Sequence, residues 1–190
     1  MYRYAARVLF AAGLLALGYA AYVVADAKAF QAIEQQRFEH AREGAVAAPA
    51  LVDGGSIGEI QIPRLGLTAM VVQGESAAIL QRAVGHLAST ALPGESGNVV
   101  LAGHRDTFFR PLKQVHAGDA ITLKTRDGDF DYLVESTAVV RPSDVRVLQA
   151  TVGRTLTLIT CFPFSYLGSA PDRFIVRARQ TERDGNRVIE

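Results

Sequence analysis

Three residue types in this chain could together do chemistry on a carbonyl: one thiol, a few imidazoles and an arginine at the head of a strand. Cys161 is the only cysteine among 190 residues. The run 155–160 before it, Thr-Leu-Thr-Leu-Ile-Thr, is rich in β-branched residues and leucine and predicts a strand. Alternation puts Leu156 and Leu158 on one face and Thr155, Thr157, Ile159 and Cys161 on the other. Pro163 has no N–H for a sheet ladder, so the strand should stop near Cys161. A thiol at a strand end, facing away from the leucine pair, is where a rigid scaffold presents a nucleophile. The competing reading is a small buried apolar residue.

A nucleophilic thiol needs a base or an electropositive neighbour. Of four histidines, His40 lies in a polar stretch far from any site signal, and His116 precedes Ala117-Gly118-Asp119, a surface turn. His86 follows Gly85 and reads as a loop residue with a structural role. His104 sits in Leu101-Ala102-Gly103-His104-Arg105-Asp106, where an apolar strand meets a polar loop. Arg173 opens the strand Arg173-Phe174-Ile175-Val176, with Ile175 and Arg177 on its face. Beside a thiol its guanidinium could donate to an oxyanion or hold a peptide carbonyl; the competing reading is a solvated charge. A zinc site from His104, Asp106 and Cys161 lacks the usual ligand spacing. No phosphate loop and no Gly-x-Ser-x-Gly elbow occurs, so neither a cofactor nor a metal is expected.

The elements that must position these residues lie behind an apolar leader. Residues 8–25 carry no charge, a length at the lower edge of a membrane-spanning helix. Arg3 and Arg7 precede the run and Asp26 and Lys28 follow it, which keeps the amino end cytoplasmic and sends the rest outward. Ala25-Asp26-Ala27 also resembles a signal-peptidase site, but the apolar run exceeds the usual signal length, which favours an uncleaved anchor. One cysteine cannot form an internal disulfide, and an unpaired thiol outside the cytoplasm is a liability unless it is used or buried. The net charge of +1 argues against a nucleic-acid partner.

The division that follows is 1–27 cytoplasmic end and anchor, 28–55 helical stalk and linker, 56–180 catalytic domain, 181–190 flexible tail. Phe30, Ile33, Phe38 and Ala41 approach helical spacing, and Ala, Pro and Gly dominate 44–55. Strands are predicted over 57–62, 67–72, 98–102, 120–125, 130–140, 156–161 and 174–178, with a short helix at 76–82 capped by Ser76. Asp127-Gly128 between two of them is the clearest hairpin signal. Short strands with frequent turns predict a mainly β fold, a small closed or nearly closed barrel.

Thr157-Leu158-Ile159-Thr160-Cys161 resembles the TLxTC signature of sortases, and Gly103-His104-Arg105 the segment that carries their histidine. Arg173 and its strand resemble the segment that carries their arginine, and the order His, Cys, Arg agrees. Residues 91–98, 104–109 and 161–164 look most like class D or related proteobacterial-type sortases, with similarity over about 56–179. The resemblance implies an eight-stranded β-barrel and a membrane-anchored cysteine transpeptidase with the catalytic domain outside the cytoplasmic membrane. It would cleave an LPXTG-like sorting signal near the C-terminus of protein substrates through a thioacyl enzyme. The new carboxyl end would pass to an amine on a peptidoglycan precursor or another protein. Cys161 would be the nucleophile, His104 the acid and base, and Arg173 the oxyanion stabiliser, with Thr160 and Arg105 as peptide contacts. Tethering would raise the enzyme's effective concentration beside signals arriving at the membrane.

Two other readings stay open: a cysteine peptidase of the same fold that passes the acyl group to water, and a non-catalytic barrel that binds extended peptides. His86 also follows a glycine and competes with His104 for the role of acid. The expected outcome is that His104→Ala abolishes amine-dependent peptide transfer while His86→Ala leaves it largely intact, as read by product mass spectrometry; the reverse would reassign the acid.

Overall fold

A computed structural model of the chain describes residues 2–44, 52–166 and 168–181. Alternating branched residues form eight strands: β1 Ser56–Ile62, β2 Leu67–Gln73, β3 Val84–His86, β4 Gly97–Ala102, β5 Ala120–Thr125, β6 Asp129–Val140, β7 Arg154–Phe162 and β8 Asp172–Gln180. They close into a barrel in the order β1-β2-β3-β4-β7-β8-β6-β5, with β5 pairing back to β1. Closure leaves no sheet edge to pair with another chain. The fold is thus the mainly β, eight-stranded barrel with short helices that the sequence implied, behind an apolar N-terminal helix.

Most neighbours are antiparallel, but β2 and β3 run parallel, and so do β4 and β7. The β4–β7 register pairs Val99 with Leu156, Leu101 with Leu158 and Ala102 with Ile159. Val99, Leu101, Leu156, Leu158, Val176 and Ala178 point into the core with Ile60, Ile62, Ile121 and Leu123. Burying each Leu or Ile side chain contributes about 1.5–3 kcal/mol, so this interior fixes the register on which the outer face depends.

The hairpin at Asp127-Gly128 forms between β5 and β6, and Gly128 takes the positive φ of 145° that favours glycine there. The short helix forms as α2, Ala77–Arg82, with the Ser76 hydroxyl accepting from the Ile79 amide at 3.4 Å. The loop expected around His86 is instead β3. A three-residue strand is too short to show a period, and Gly85 looks like turn punctuation. Its real role is close packing: a Cβ there would sit 2.3 Å from the carbonyl oxygen of Gly74. The outer segment 141–153 also holds a 3₁₀ turn, Val145–Leu148, that no periodicity announced.

α1, Tyr2–Glu43, runs unbroken through the apolar stretch and the first part of the stalk. Its second half lies on the barrel. Gln31 accepts from the Met70 amide and donates to the Arg82 carbonyl, both at 2.7 Å. Arg82 pairs with Asp26, Arg42 pairs with Asp129 at 2.8 Å, and Phe38 is buried. Residues 45–51 of the expected linker and 182–190 of the expected tail lie outside the described residues.

At the barrel end near the turn Pro63–Leu65, Asp119 is buried and its carboxylate is gripped by Arg64, whose Nη2 donates to Oδ2 at 2.6 Å and to the Gln114 carbonyl at 2.6 Å. The Arg64 hydrogen bond, above all, holds the Asp119 carboxyl down at about 2. A carboxyl lowered on folding stabilises the native state fully above the ordinary carboxylate range, and that contribution is lost as pH falls toward about 2. Urea unfolding followed from about pH 5 down to about pH 2 should therefore show a steeper loss of stability in wild type than in Asp119→Asn. Parallel curves would mean the pair does not couple to stability.

Candidate active site

Cys161 lies one residue from the end of β7, half-buried, and its cross-strand partner on β8 is Arg173. Directly opposed residues of an antiparallel pair project to the same face with Cβ atoms about 4.5–5.5 Å apart. That face is the outer one, shared with Ile159 and Ile175, because Leu156, Leu158, Val176 and Ala178 fill the interior.

His104 reaches the same edge from the other side of β7. β4 and β7 are parallel, so their C-terminal ends emerge together, and Gly103 and His104 continue the line beyond the Ala102–Ile159 pair. The Gly103 amide donates to the Ile159 carbonyl at 3.1 Å. The Thr160 hydroxyl, buried on the inner face, donates to the Gly103 carbonyl at 2.7 Å. The His104 carbonyl then accepts from the Phe109 amide at 3.1 Å, which closes the turn. A Cβ on Gly103 would lie 2.8 Å from the buried Phe109 ring, so only glycine lets the turn close this tightly. The His104 side chain is exposed.

A groove of about 280 Å³ runs along this outer face. Ala102, Ile159, Arg173 and Ile175 form its floor, Leu80 and Leu87 one side, and segment 140–148 the other. Arg173 Nη1 donates to the carbonyls of Asp172 at 2.9 Å and Ala170 at 3.3 Å. Its Nε and Nη2 make no hydrogen bond among the described residues. The structure thus brings Cys161, His104 and Arg173 from three adjacent strands to one barrel edge, beside an open, largely apolar trough.

Comparison with known proteins identifies the family. The model of the Sortase domain family matches residues 60–181. The chain belongs to the sortase family. It is 35% identical over 128 residues to Sortase D of Bacillus subtilis, covering 67% of this chain and 65% of that protein. It is 37% identical over 123 residues to Sortase SrtE1 of Streptomyces coelicolor, covering 55% of this chain and 35% of that protein. The matches therefore span less than two thirds of these relatives' own lengths. A solved Clostridium perfringens Sortase D5 transpeptidase superposes with a TM-score of 0.69 at 28% identity, covering 83% of this chain and 99% of that one. The class D-like character read from the sequence is consistent with these similarities.

The surroundings of the remaining residues separate roles that the sortase motifs left together. His86 is buried in β3, where Nε2 lies 2.9 Å from the Ala91 carbonyl and Nδ1 2.9 Å from the Gln73 side chain. Burial, first of all, lowers its pKa. Both partners are acceptor oxygens, the Ala91 carbonyl and Gln73 Oε1, and the Thr90 hydroxyl lies 3.2 Å from Nε2. Such a histidine fastens β2, β3 and the loop before β4. It offers no proton to a groove, and His86→Ala must be compared with His104→Ala on protein shown to be folded. His116 is exposed, 3.8 Å from Asp119, and His40 caps its own helix turn through Gln36.

Arg105 and Thr160, expected to touch peptide, are turned elsewhere. Thr160 is committed to Gly103. Arg105 is 7% exposed, and its guanidinium donates to the carbonyls of Pro163 at 2.9 Å, Tyr166 at 2.6 Å and Gly168 at 3.1 Å. Those carbonyls belong to the loop between β7 and β8, so the residue after His104 clasps the loop that links Cys161 to Arg173. No sequence signal distinguishes a clasping arginine from a peptide-binding one. Loss of three charge-assisted hydrogen bonds should release the loop: native-state proteolysis between Pro163 and Pro171 should rise by at least about tenfold in Arg105→Ala, the population change for ~1.4 kcal/mol. An unchanged cleavage rate would remove the clasp.

Proposed function

We propose that this chain is a membrane-anchored cysteine transpeptidase acting outside the cytoplasmic membrane on protein substrates with an LPXTG-like sorting signal. The observation that carries the reading is the register that sets Cys161 opposite Arg173 while β4 delivers His104 to the same edge. The apolar groove suits an extended signal peptide, with Ile159, Ile175, Leu80 and Leu87 receiving its apolar side chains.

The chemistry is an exchange of amides. The Cys161 Sγ attacks the carbonyl carbon of the scissile bond, and the oxyanion that develops takes hydrogen bonds from the Arg173 donors not used on Ala170 and Asp172. The C–N bond breaks as the leaving nitrogen takes a proton from His104, which leaves a thioacyl enzyme. An incoming amine then attacks the thioester, gives its proton to the His104 ring and expels the Cys161 thiolate. One amide is broken and one formed, with no further reactant. Thr160 and Arg105 act as positioning residues, since their hydrogen bonds go to Gly103 and to the β7–β8 loop.

The apolar run of α1, with charges on both sides, supports a single-pass anchor that holds the barrel at the membrane. A peptidase of this fold would differ only in handing the acyl group to water. The test is product analysis with an LPXTG-type peptide, with and without an added amine. Wild type should give the amine adduct and a trapped thioacyl species at Cys161, and Cys161→Ala should give neither, a loss of at least about a thousandfold. Hydrolysis alone at saturating amine would favour the peptidase, and an unlabelled Cys161 with a thiol-directed probe would favour a binding barrel.

A further inference from the structure

A second hollow, of about 560 Å³, opens between α1 and the barrel, in the size range of lipid and small-molecule sites. Val23, Val24 and Ala27 of α1 form one wall, with Gln31 and Gln35 farther along the helix, and Leu67, Phe108 and Pro111 of the barrel form most of the other. We propose that it takes an acyl chain of an anionic phospholipid from the leaflet on the barrel's side, so that the barrel rests on the bilayer with this face down. The proposal rests on the anchor reading of α1.

Depth is the first argument. The 18 uncharged residues 8–25 make about 27 Å of helix at 1.5 Å per residue, close to the hydrocarbon thickness of roughly 30 Å. Val23 and Val24 then lie at the outer boundary of the hydrocarbon. The barrel is held to this level: the Asp26–Arg82 pair begins one residue past the apolar run, followed by the Gln31 hydrogen bonds and buried Phe38. The end of the hollow at Val23 and Val24 thus opens at the boundary of the apolar phase that surrounds the anchor.

Charge is the second. Lys28 lines the hollow, and Arg110 and Lys113 share the 3₁₀ turn that carries Pro111; all three are exposed. Of the acids nearby, Asp26 is engaged by Arg82, Asp119 by Arg64, and Asp106 lies 3.5 Å from Arg105. The rim is therefore net basic, which suits a lipid phosphate above a buried chain. Phe108 belongs to the turn that carries His104, so a chain in this hollow also supports that turn from below.

The chain contains no tryptophan, so Phe108→Trp and, independently, Thr68→Trp on the other wall each give a sole fluorophore. Val152→Trp, fully exposed and outside the hollow, is the reference. The full chain is placed in vesicles containing brominated phosphatidylglycerol or brominated phosphatidylcholine. The indoles of Phe108→Trp and Thr68→Trp should be quenched by bromine and protected from iodide, about twofold more with the anionic lipid, and Lys28→Glu/Arg110→Glu should remove that preference. Iodide access without bromine quenching, in chain that floats with the vesicles, overturns the proposal and leaves the anchor standing. Chain that does not float overturns both. Shielding from both quenchers together with a cross-linked dimer through the hollow assigns it to a second copy and overturns the proposal. Equal quenching by the two lipids overturns the choice of an anionic lipid.

Discussion

Gly103 is held from both sides by β7: its amide donates to the Ile159 carbonyl, and its carbonyl accepts the buried Thr160 hydroxyl. The rest of the site depends on this double attachment. It extends the parallel β4–β7 ladder one residue beyond the strand, to the point where His104 leaves the sheet. Had these strands paired antiparallel, their C-terminal ends would lie at opposite ends of the barrel, and His104 would not share an end with Cys161. The hydroxyl–carbonyl bond contributes about 1 kcal/mol net, but an unpaired carbonyl in its place would cost about 1–3 kcal/mol, so removing the hydroxyl is penalised more than making the bond is rewarded.

The inner and outer faces of β7 divide the work. Leu156 and Leu158 anchor it in the core, and the same alternation that buries them sends Ile159 outward to the groove and Cys161 to the same outer face. A slip of one residue would put the sulfur inside and a leucine in the trough. Hydrophobic burial therefore specifies which side chains of β7 face outward, Cys161 among them. β8 adds to this from the other side, since the register that buries Val176 and Ala178 is the one that sets Arg173 opposite Cys161.

Much of this was legible in the chain because it rests on local patterns. The alternation around Cys161, the Ser76 cap and the Asp127-Gly128 hairpin are each decided within a few residues, and each formed as read. β3 was not legible, because three residues carry no period and the need for glycine at position 85 is set by the Gly74 carbonyl, which meets it only once the chain has folded. The same holds for Arg105 and for the hollow under α1. Both are made by residues far apart in sequence, and nothing in the type of an arginine or a valine reports what it will face.

The two arginines of the site make the point most sharply. Each follows or opposes a reactive residue, and motif similarity alone assigns both to the peptide. Their surroundings separate them. The loop between β7 and β8 leaves the sheet, so its carbonyls lose their ladder partners and need other donors where water is excluded. Arg105 meets three of them with one rigid planar group, which a lysine could not do from a single position. Among the described residues Arg173 is tied through Nη1 alone, to the carbonyls of Ala170 and Asp172, and it lines the groove. One guanidinium is consumed by the architecture, and the loop it holds leads into the strand that sets the other opposite Cys161.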